Sequence, residues 1–265
     1  MCTKIFSRLI QFICILLIVA CKSKTEHFPK ISGHRGTSFI APENTLASID
    51  SCIKYKVDLA ECDVCISKDS VFYLLHDSTL DRTTNGSGAI ANWMSYDIDT
   101  LDAGSWFNPV FKGVRVPRLE DALRRAKQGK LELTIDYRNG NLKRMLDLIR
   151  REGMLDHCTF VFYSEDDFKA FRKLAPQVKR LQAYIRTNKD FDYVIDSLKP
   201  DIAVVRLDSI TPQWISRCHE AGMKVLALAL KSSAPDEDYI RAARLGVDVI
   251  ATDRPEYIIK KFGRR

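Results

Sequence analysis

The chain has 265 residues with a formal net charge of +7, and 28% of its residues are charged. This length is enough for one large α/β domain or two small ones. The positive charges are dispersed and are not interleaved with aromatic residues in a stripe, which argues against nucleic acid as a partner. A moderate positive field suits an anionic small substrate or an anionic lipid surface.

Residues 1–20 are typical of a secretory signal segment. Lys4 and Arg8 give a basic start, and the apolar run from Leu9 to Ala20 is too short to span a bilayer, which requires about 20 apolar residues. The small residue directly before Cys21 resembles the lipobox of bacterial lipoproteins. This resemblance implies a lipid-modified Cys21 and an exported protein, anchored to a bacterial membrane on its periplasmic face or at the cell surface. An ordinary signal peptide with an incidental cysteine is the alternative.

Residues 21–30 are interpreted as the lipidated cysteine and a short tether. The segment KSKTEHFP after Cys21 reaches at most about 28 Å at ~3.5 Å per residue. We therefore expect the folded part of the chain to lie close to a membrane surface.

Five further cysteines follow, which is an odd number for an exported protein: Cys52, Cys62, Cys65, Cys158 and Cys218. Cys62 and Cys65 have the CxxC spacing of redox sites, but in a strand they point to opposite faces. A redox pair belongs at the start of a helix, where its thiolate is stabilised. Buried structural thiols are therefore expected, and a thiol redox function is the weaker interpretation.

Strand-like and helical segments alternate along the chain from residue 31 to residue 262. The predicted strands are Ile31–His34, Asp58–Ile66, Val71–His76, Leu131–Asp136, Cys158–Tyr163, Arg180–Ile185, Ile202–Arg206, Lys224–Leu230 and Asp248–Ala251. Helical patterns lie between them, at Asn44–Lys56, Leu119–Lys127, Leu142–Glu152, Asp166–Leu174, Phe191–Leu198, Pro212–Ala221 and Asp236–Leu245. The connection before Val71 has only four residues, too few for a parallel crossover, so Val71–His76 is expected to pair back as an antiparallel hairpin strand.

Without that hairpin strand, eight β units are separated by helices, a pattern that predicts an α/β fold of the TIM (β/α)8 barrel type over residues 31–262. An open, doubly wound sheet is the alternative. It lacks support because Gly33 and Gly36 flank His34 and Arg35 and do not form a GxGxxG loop. Residues 77–117, rich in Asn, Gly, Ser, Asp and aromatic residues, interrupt the alternation. They are predicted to form a small inserted subdomain at the barrel mouth, after the second strand.

Candidate catalytic side chains lie where the predicted strands end, as in TIM-barrel enzymes. His34 ends the first strand, Asp136 ends the third and His76 caps the hairpin strand. Glu61 and Asp63 share one face of an apolar second strand, where burying unpaired charges would cost several kcal/mol. Three carboxylates from neighbouring strands form an all-oxygen cluster, which suits Ca²⁺ or Mg²⁺ better than zinc.

The order of short motifs resembles the glycerophosphodiester phosphodiesterase (GDPD) family from Ile31 to about Tyr257. The motifs are GHRG, APENT, AECDV, HDSTLDRTTNGSG, LDAGSWF, VPRLEDAL and ATDRP. The resemblance implies a TIM barrel with a small inserted subdomain and a divalent metal. It also implies hydrolysis of a glycerol phosphodiester to glycerol 3-phosphate and an alcohol, in which the neighbouring glycerol hydroxyl attacks.

The resemblance also assigns roles to individual residues. His34 and His76 match the general acid–base pair, and Glu61, Asp63 and Asp136 match the metal ligands. The expected substrate contacts are Arg35, Arg138, Glu43 and Trp106, with Arg35 at the phosphate and Trp106 as an apolar wall. Two departures affect specificity: Asp136 and Arg138 replace the usual Glu and Lys, and LALALKSS at residues 226–233 replaces a common Trp-Thr-x-Asn pattern.

Three alternative functions are considered beside this one. A lysophospholipase D or phosphoinositide-type phosphodiesterase would use the same site and would fit a membrane tether. A lipoprotein that binds glycerophosphodiesters without cleaving them would have no need of two histidines. A thiol redox protein rests on Cys62 and Cys65 alone.

Overall fold

The computed structural model describes residues 28–230 and 234–262. The predicted signal segment, the predicted lipidation site Cys21 and most of the predicted tether lie outside the described residues. Among the residues described, no helix has the length and apolar character needed to cross a membrane.

A closed parallel barrel forms the centre of the described structure and confirms the predicted fold class. Its strands are β1 (Lys30–Gly33), β2 (Leu59–Ile66), β4 (Glu132–Tyr137), β5 (Cys158–Phe162), β6 (Leu181–Tyr184), β7 (Ile202–Arg206), β8 (Lys224–Ala229) and β9 (Val249–Thr252). These strands pair in that order, and β9 pairs with β1 from Lys30 opposite Val249 to Gly33 opposite Thr252. This closure excludes the open sheet.

The additional strand β3 (Phe72–Leu74) pairs antiparallel with β2, with Leu74 opposite Val64. The predicted hairpin is therefore confirmed. Residues 77–117, which we call the insertion, follow this strand and precede the next long helix.

Most helices lie between consecutive barrel strands; a short one, Ser95–Ile98, lies in the insertion, and the last, Pro255–Phe262, follows the final strand. The helices are α1 (Leu46–Tyr55), α2 (Ser95–Ile98), α3 (Leu119–Gly129), α4 (Leu142–Arg151), α5 (Glu165–Leu174), α6 (Asn188–Asp192), α7 (Pro212–Glu220), α8 (Asp236–Leu245) and α9 (Pro255–Phe262). Shorter turns are the 3₁₀ helices Ile90–Asn92, Pro109–Phe111 and Leu155–His157 and the π-helix Tyr193–Leu198. In α4 the buried residues Leu142, Met145, Leu146 and Ile149 follow helical spacing, and the Asn141 side chain caps the N-terminus.

The hydrophobic core is divided between the barrel and the insertion. Most buried apolar residues belong to the cluster between the barrel strands and their helices. A second cluster joins β2 and β3 to the insertion and contains Cys65, Tyr73, Leu80, Ile98 and Leu101. The insertion thus has a core of its own, built on the outer side of the hairpin.

The five cysteines of the described residues are free and buried, as the sequence predicted. Cys62 packs in the barrel cluster and Cys65 in the insertion cluster, so the two thiols face opposite sides. Burial raises the pKa of Cys65 to about 12 and that of Cys62 well above its usual range. A reactive thiolate, which the redox interpretation requires, is therefore disfavoured.

Candidate active site

The loop after β1 places His34 and Arg35 at the barrel mouth, the end of the barrel where the strands finish. The loop turns back so tightly that a Cβ on Gly33 would lie 2.3 Å from the Gly36 carbonyl oxygen. Arg35 has a left-handed backbone (φ 56°), and its amide donates a hydrogen bond to Glu61 Oε2 at 2.7 Å. Glycine at position 33 thus permits the close turn that joins this loop to β2.

All three predicted metal ligands lie close together at the mouth. One carboxylate oxygen from each of Glu61, Asp63 and Asp136 lies within 4.8 Å of the other two. The parallel register of β2 and β4 places Asp63 directly opposite Asp136, and Glu61 lies two residues before Asp63 on the same face. Strand geometry therefore forms this cluster without any loop rearrangement.

Asp63 is the cluster residue whose ionised form is stabilised by its surroundings. Burial acts to raise its pKa, but Arg138, Asn44 and Arg35 together outweigh burial and leave the pKa below its usual value. Arg138 Nε donates to Asp63 Oδ1 at 3.0 Å, and Asn44 Nδ2 donates to Oδ2 at 2.7 Å. The Arg35 Nε lies 3.5 Å from Oδ2.

The other two carboxyl groups have pKa shifts in the opposite direction. Burial and the neighbouring charge of Asp63 raise the pKa of Asp136 to about 7, and burial with Asp63 and Asp136 raises the pKa of Glu61 well above its usual range. Tyr163 OH donates to Asp136 Oδ2 at 2.9 Å, while Asp136 Oδ1 is buried, accepts no hydrogen bond among the described residues and lies 3.3 Å from Arg138 Nε. The nearby positive charge is too small to keep all three carboxyl groups ionised. A cluster of oxygen ligands in this condition fits a hard divalent cation.

Both predicted histidines lie beside this cluster, and each is held by a carboxylate. His34 Nδ1 lies 2.7 Å from Asp253 Oδ1, and His76 Nδ1 lies 2.6 Å from Asp77 Oδ1. Because each carboxylate accepts a hydrogen bond from Nδ1–H, this pairing leaves Nε2 free to exchange a proton with a ligand. Arg82 lowers the pKa of Asp77 to about 2, which keeps that partner ionised.

Glu43 connects the mouth to the insertion. Its carboxylate accepts a hydrogen bond from Arg35 at 2.9 Å and two from Arg82 at 2.8 and 2.9 Å. The structure places Glu43 behind Arg35, where two guanidinium groups occupy its oxygens. This arrangement orients Arg35 toward the cluster.

Trp106 lies in the insertion and is 40% exposed. Its Nε1 donates to the Ala103 carbonyl at 2.9 Å, and its ring packs edge-on against Phe107. Neither Trp106 nor Glu43 is among the described residues that line the cavity at the mouth. Their predicted substrate contacts stay predictions.

The cavity at the mouth has a volume of about 270 Å³ and two unlike walls. The polar wall includes His34, His76, Arg35, Arg138 and the cluster residues Glu61 and Asp136. The apolar wall is formed by Val161, Leu226, Leu228, Leu230 and Ala251. Leu226 and Leu228 belong to the LALALKSS segment, so apolar side chains from β8 stand where the sequence departs from the family pattern.

Sequence reasoning missed several residues around the cavity. Tyr163 and Tyr184 stack with ring centroids 5.7 Å apart, and the Arg138 guanidinium lies 4.8 Å from the Tyr163 ring. Gln182 also lines the cavity. For the tyrosines the available signal was position, because they lie at the ends of β5 and β6, where barrel active sites form, whereas Gln182 lies two residues before the end of β6.

Comparisons with known proteins agree with this geometry. Residues 34–257 match the glycerophosphoryl diester phosphodiesterase family. The Bacillus subtilis protein YhdW is 30% identical over 244 aligned residues, which cover 87% of this chain and 96% of YhdW.

Solved structures show the same fold. A glycerophosphodiester phosphodiesterase from Agrobacterium tumefaciens superposes with a TM-score of 0.79 at 32% identity, covering 86% of this chain and 97% of that protein. An Oleispira antarctica phosphodiesterase in complex with its product sn-glycerol-3-phosphate has a TM-score of 0.81 at 23% identity, covering 89% and 98%. With the match over residues 34–257, the chain belongs to the glycerophosphoryl diester phosphodiesterase family and is an enzyme of the phosphoric diester hydrolase class.

Proposed function

We propose that the enzyme hydrolyses glycerophosphodiesters to glycerol 3-phosphate and an alcohol, in a metal-dependent reaction with His34 and His76 as its acid and base. The observation that carries this proposal is that both histidines line one cavity with Glu61 and Asp136 of the acidic cluster, and that each histidine is held at Nδ1 by a carboxylate. The bound product of the Oleispira antarctica protein supports the same product here.

Glu61, Asp63 and Asp136 would hold the metal, which we propose to be Ca²⁺ or Mg²⁺. The raised pKa values of Glu61 and Asp136 support this assignment, as does the buried Asp136 Oδ1, which accepts no hydrogen bond among the described residues; a bound cation would relieve both features. When bound, the cation neutralises negative charge on the phosphate.

Two guanidinium groups orient the phosphate beside the cluster. Arg35 and Arg138 line the cavity, and their ion pairs with Asp63 fix them at the same side of the mouth. Guanidinium groups fixed in advance stabilise the charge that accumulates on phosphate oxygens as the new bond forms.

The histidines move the protons. The Nε2 of one histidine accepts the proton of the attacking hydroxyl, which we propose to be the glycerol hydroxyl next to the phosphate. The other histidine donates a proton to the leaving alcohol oxygen, so the bond from phosphorus to that oxygen breaks, a neutral alcohol departs and a cyclic phosphate of glycerol remains. Water then attacks the phosphorus: the histidine that gave up its proton accepts one from the water, and the other histidine returns its proton to the glycerol oxygen. The ring opens, and glycerol 3-phosphate is released. Each positioned proton transfer contributes about 10²- to 10⁴-fold to the rate.

We further propose that the mature enzyme is exported and anchored to a bacterial membrane through a lipid on Cys21. The support is the sequence before that residue, a basic start followed by an apolar run and a small residue. Mass spectrometry of the membrane fraction tests this proposal. We expect a lipid-modified Cys21 at the N-terminus, and an unmodified, soluble mature chain would contradict it.

The reaction is tested by measuring glycerol 3-phosphate release from glycerophosphocholine and glycerophosphoethanolamine, using the chain from residue 22 onward. Each substrate is assayed with Ca²⁺, with Mg²⁺ and with EDTA, beside 1-acyl lysophosphatidylcholine, which presents the same phosphodiester and whose cleavage is measured as choline release. We expect release that requires a divalent cation. A folded, metal-loaded enzyme that cleaves only the acylated substrate would replace the proposal with a lysophospholipase D.

A further inference from the structure

Gln182 is a buried polar residue that the reaction described above does not use. It lies on β6, has 3% exposure and lines the active-site cavity. Its Nε2 is shielded from solvent and has no hydrogen-bond partner among the described residues. A buried amide donor without a partner carries a free-energy cost that a protein core normally avoids.

The neighbouring strands show why no side chain in the described part of the chain supplies the missing partner. In the barrel register Gln182 stands opposite Val161, which in turn stands opposite Asp136. Parallel strands lie about 4.8 Å apart, so Gln182 and Asp136 are about 10 Å apart at the backbone. Both residues line the cavity, where Val161 and the β8 leucines offer no polar atom and the buried Thr134 Oγ1 itself has no hydrogen-bond partner among the described residues.

The chemistry of an amide narrows the choice of ligand. Rotation about the last side-chain bond exchanges the Nε2 donor and the Oε1 acceptor of Gln182. A phosphate oxygen pairs only with the donor, whereas a hydroxyl group pairs with either atom. The surrounding wall is apolar, which suits the carbon atoms that carry such a hydroxyl.

We propose that Gln182 binds the terminal hydroxyl of the substrate's glycerol, the one farther from the phosphate. This assignment rests on the proposed function, in which Arg35, Arg138 and the cluster hold the phosphate at the opposite side of the cavity. The enzyme is then specific for glycerol diesters with a free terminal hydroxyl. It discriminates against 1-acyl lysophospholipids, in which an acyl chain occupies that oxygen.

The kinetic test combines one protein change with one substrate change. The substrates are glycerophosphocholine and the matching phosphocholine diester of propane-1,2-diol, which keeps the hydroxyl next to the phosphate and lacks the terminal one. Gln182→Met preserves length and removes the hydrogen bond. We expect it to lower kcat/KM for glycerophosphocholine by about 10- to 100-fold and to change kcat/KM for the propanediol diester by less than about twofold.

Gln128→Met is the matched control, because Gln128 is exposed at the end of α3. We expect it to leave both substrates unaffected. Equal losses on the two substrates with Gln182→Met would show that Gln182 has only a packing role and would overturn the assignment. A loss confined to glycerophosphocholine supports it.

A binding measurement separates this inference from the proposed reaction. Calorimetry compares sn-glycerol 3-phosphate with propane-1,2-diol 1-phosphate, on the wild type and on Gln182→Met. Tighter binding of glycerol 3-phosphate by the wild type, lost in the variant, supports the hydroxyl contact even if no diester is cleaved. Equal affinity of the wild type for both ligands overturns the contact, even where glycerophosphocholine is a good substrate.

Discussion

The barrel mouth and the insertion use carboxylates in opposite ways. At the mouth, Glu61 and Asp136 are buried beside another carboxylate, and their pKa values are raised. In the insertion, Asp102 accepts hydrogen bonds from the amides of Gly104, Ser105 and Gly113 at 2.6–2.9 Å, and its pKa is lowered. Asp102 thus has enough donors within the insertion to stay ionised, and Asp63 has them at the mouth, whereas the donors to Glu61 and Asp136 do not outweigh burial and the neighbouring negative charge. A raised pKa marks the two cluster carboxylates that need a further positive charge.

The largest expected difference between the two regions concerns catalysis. We expect His34→Ala and His76→Ala each to lower kcat by at least about 10²-fold, with little change in melting temperature, because both side chains are partly exposed. Steady-state assays on glycerophosphocholine and thermal unfolding of the same samples measure the two effects. Substantial activity in either purified variant would remove that histidine from the acid–base pair.

In the metal-free protein, the pH dependence of stability should distinguish the carboxylates of the mouth from those of the insertion. Asp136 has a pKa of about 7 in the folded chain and about 3.9 when unfolded. Burying Asp136 in its ionised form therefore costs free energy of folding. This cost is fully present above pH 7 and disappears as the pH falls to about 4. The effect is at most about 4 kcal/mol.

Thermal unfolding in EDTA from pH 8 to pH 5 measures this dependence. Asp136→Asn is neutral at every pH and should reduce the gain in stability on acidification. If the variant and the wild type have the same pH profile, Asp136 does not carry the penalty that the comparison assigns to it.

A smaller effect is expected from the tyrosine that orients Asp136. Tyr163→Phe removes the hydroxyl that donates to Asp136 Oδ2, and we expect the affinity for Ca²⁺ or Mg²⁺ to fall about 10- to 100-fold. Titration calorimetry with the metal alone gives the affinity without any turnover. Tyr96→Phe, at an exposed position in the insertion, is the control and should bind metal like the wild type.

The smallest effect should come from the insertion. Asp102→Ala leaves three backbone amides without their carboxylate, but water reaches this site, so we expect a loss of about 1 kcal/mol in the free energy of unfolding. Catalytic activity should remain close to that of the wild type. A large loss of activity with unchanged stability would contradict the separation of the two regions.

The fold could be predicted from the sequence because each element has a local pattern. The antiparallel placement of β3 followed from a connection of four residues, and the cluster of Glu61, Asp63 and Asp136 followed from strand periodicity. Strand order and side-chain alternation are sufficient for such predictions, since both are set by neighbouring residues.

Partners that come from distant segments could not be predicted in this way. His34 and its partner Asp253 are 219 positions apart, and Glu43 meets Arg82 across 39. No local pattern encodes such a distance, because loop conformations decide it. Gln182 was missed for a different reason, since a single polar residue in a strand carries no spacing signal.

Barrel closure has a consequence for how the chain matures. The first strand pairs with the last, over Lys30–Gly33 and Val249–Thr252. The closing contact therefore forms only after nearly the whole polypeptide has emerged, whether from a ribosome or from a membrane channel. If the protein is exported N-terminus first, as we propose, the barrel cannot close before its last strand has emerged. The polypeptide would then remain incompletely folded and able to pass through a narrow channel.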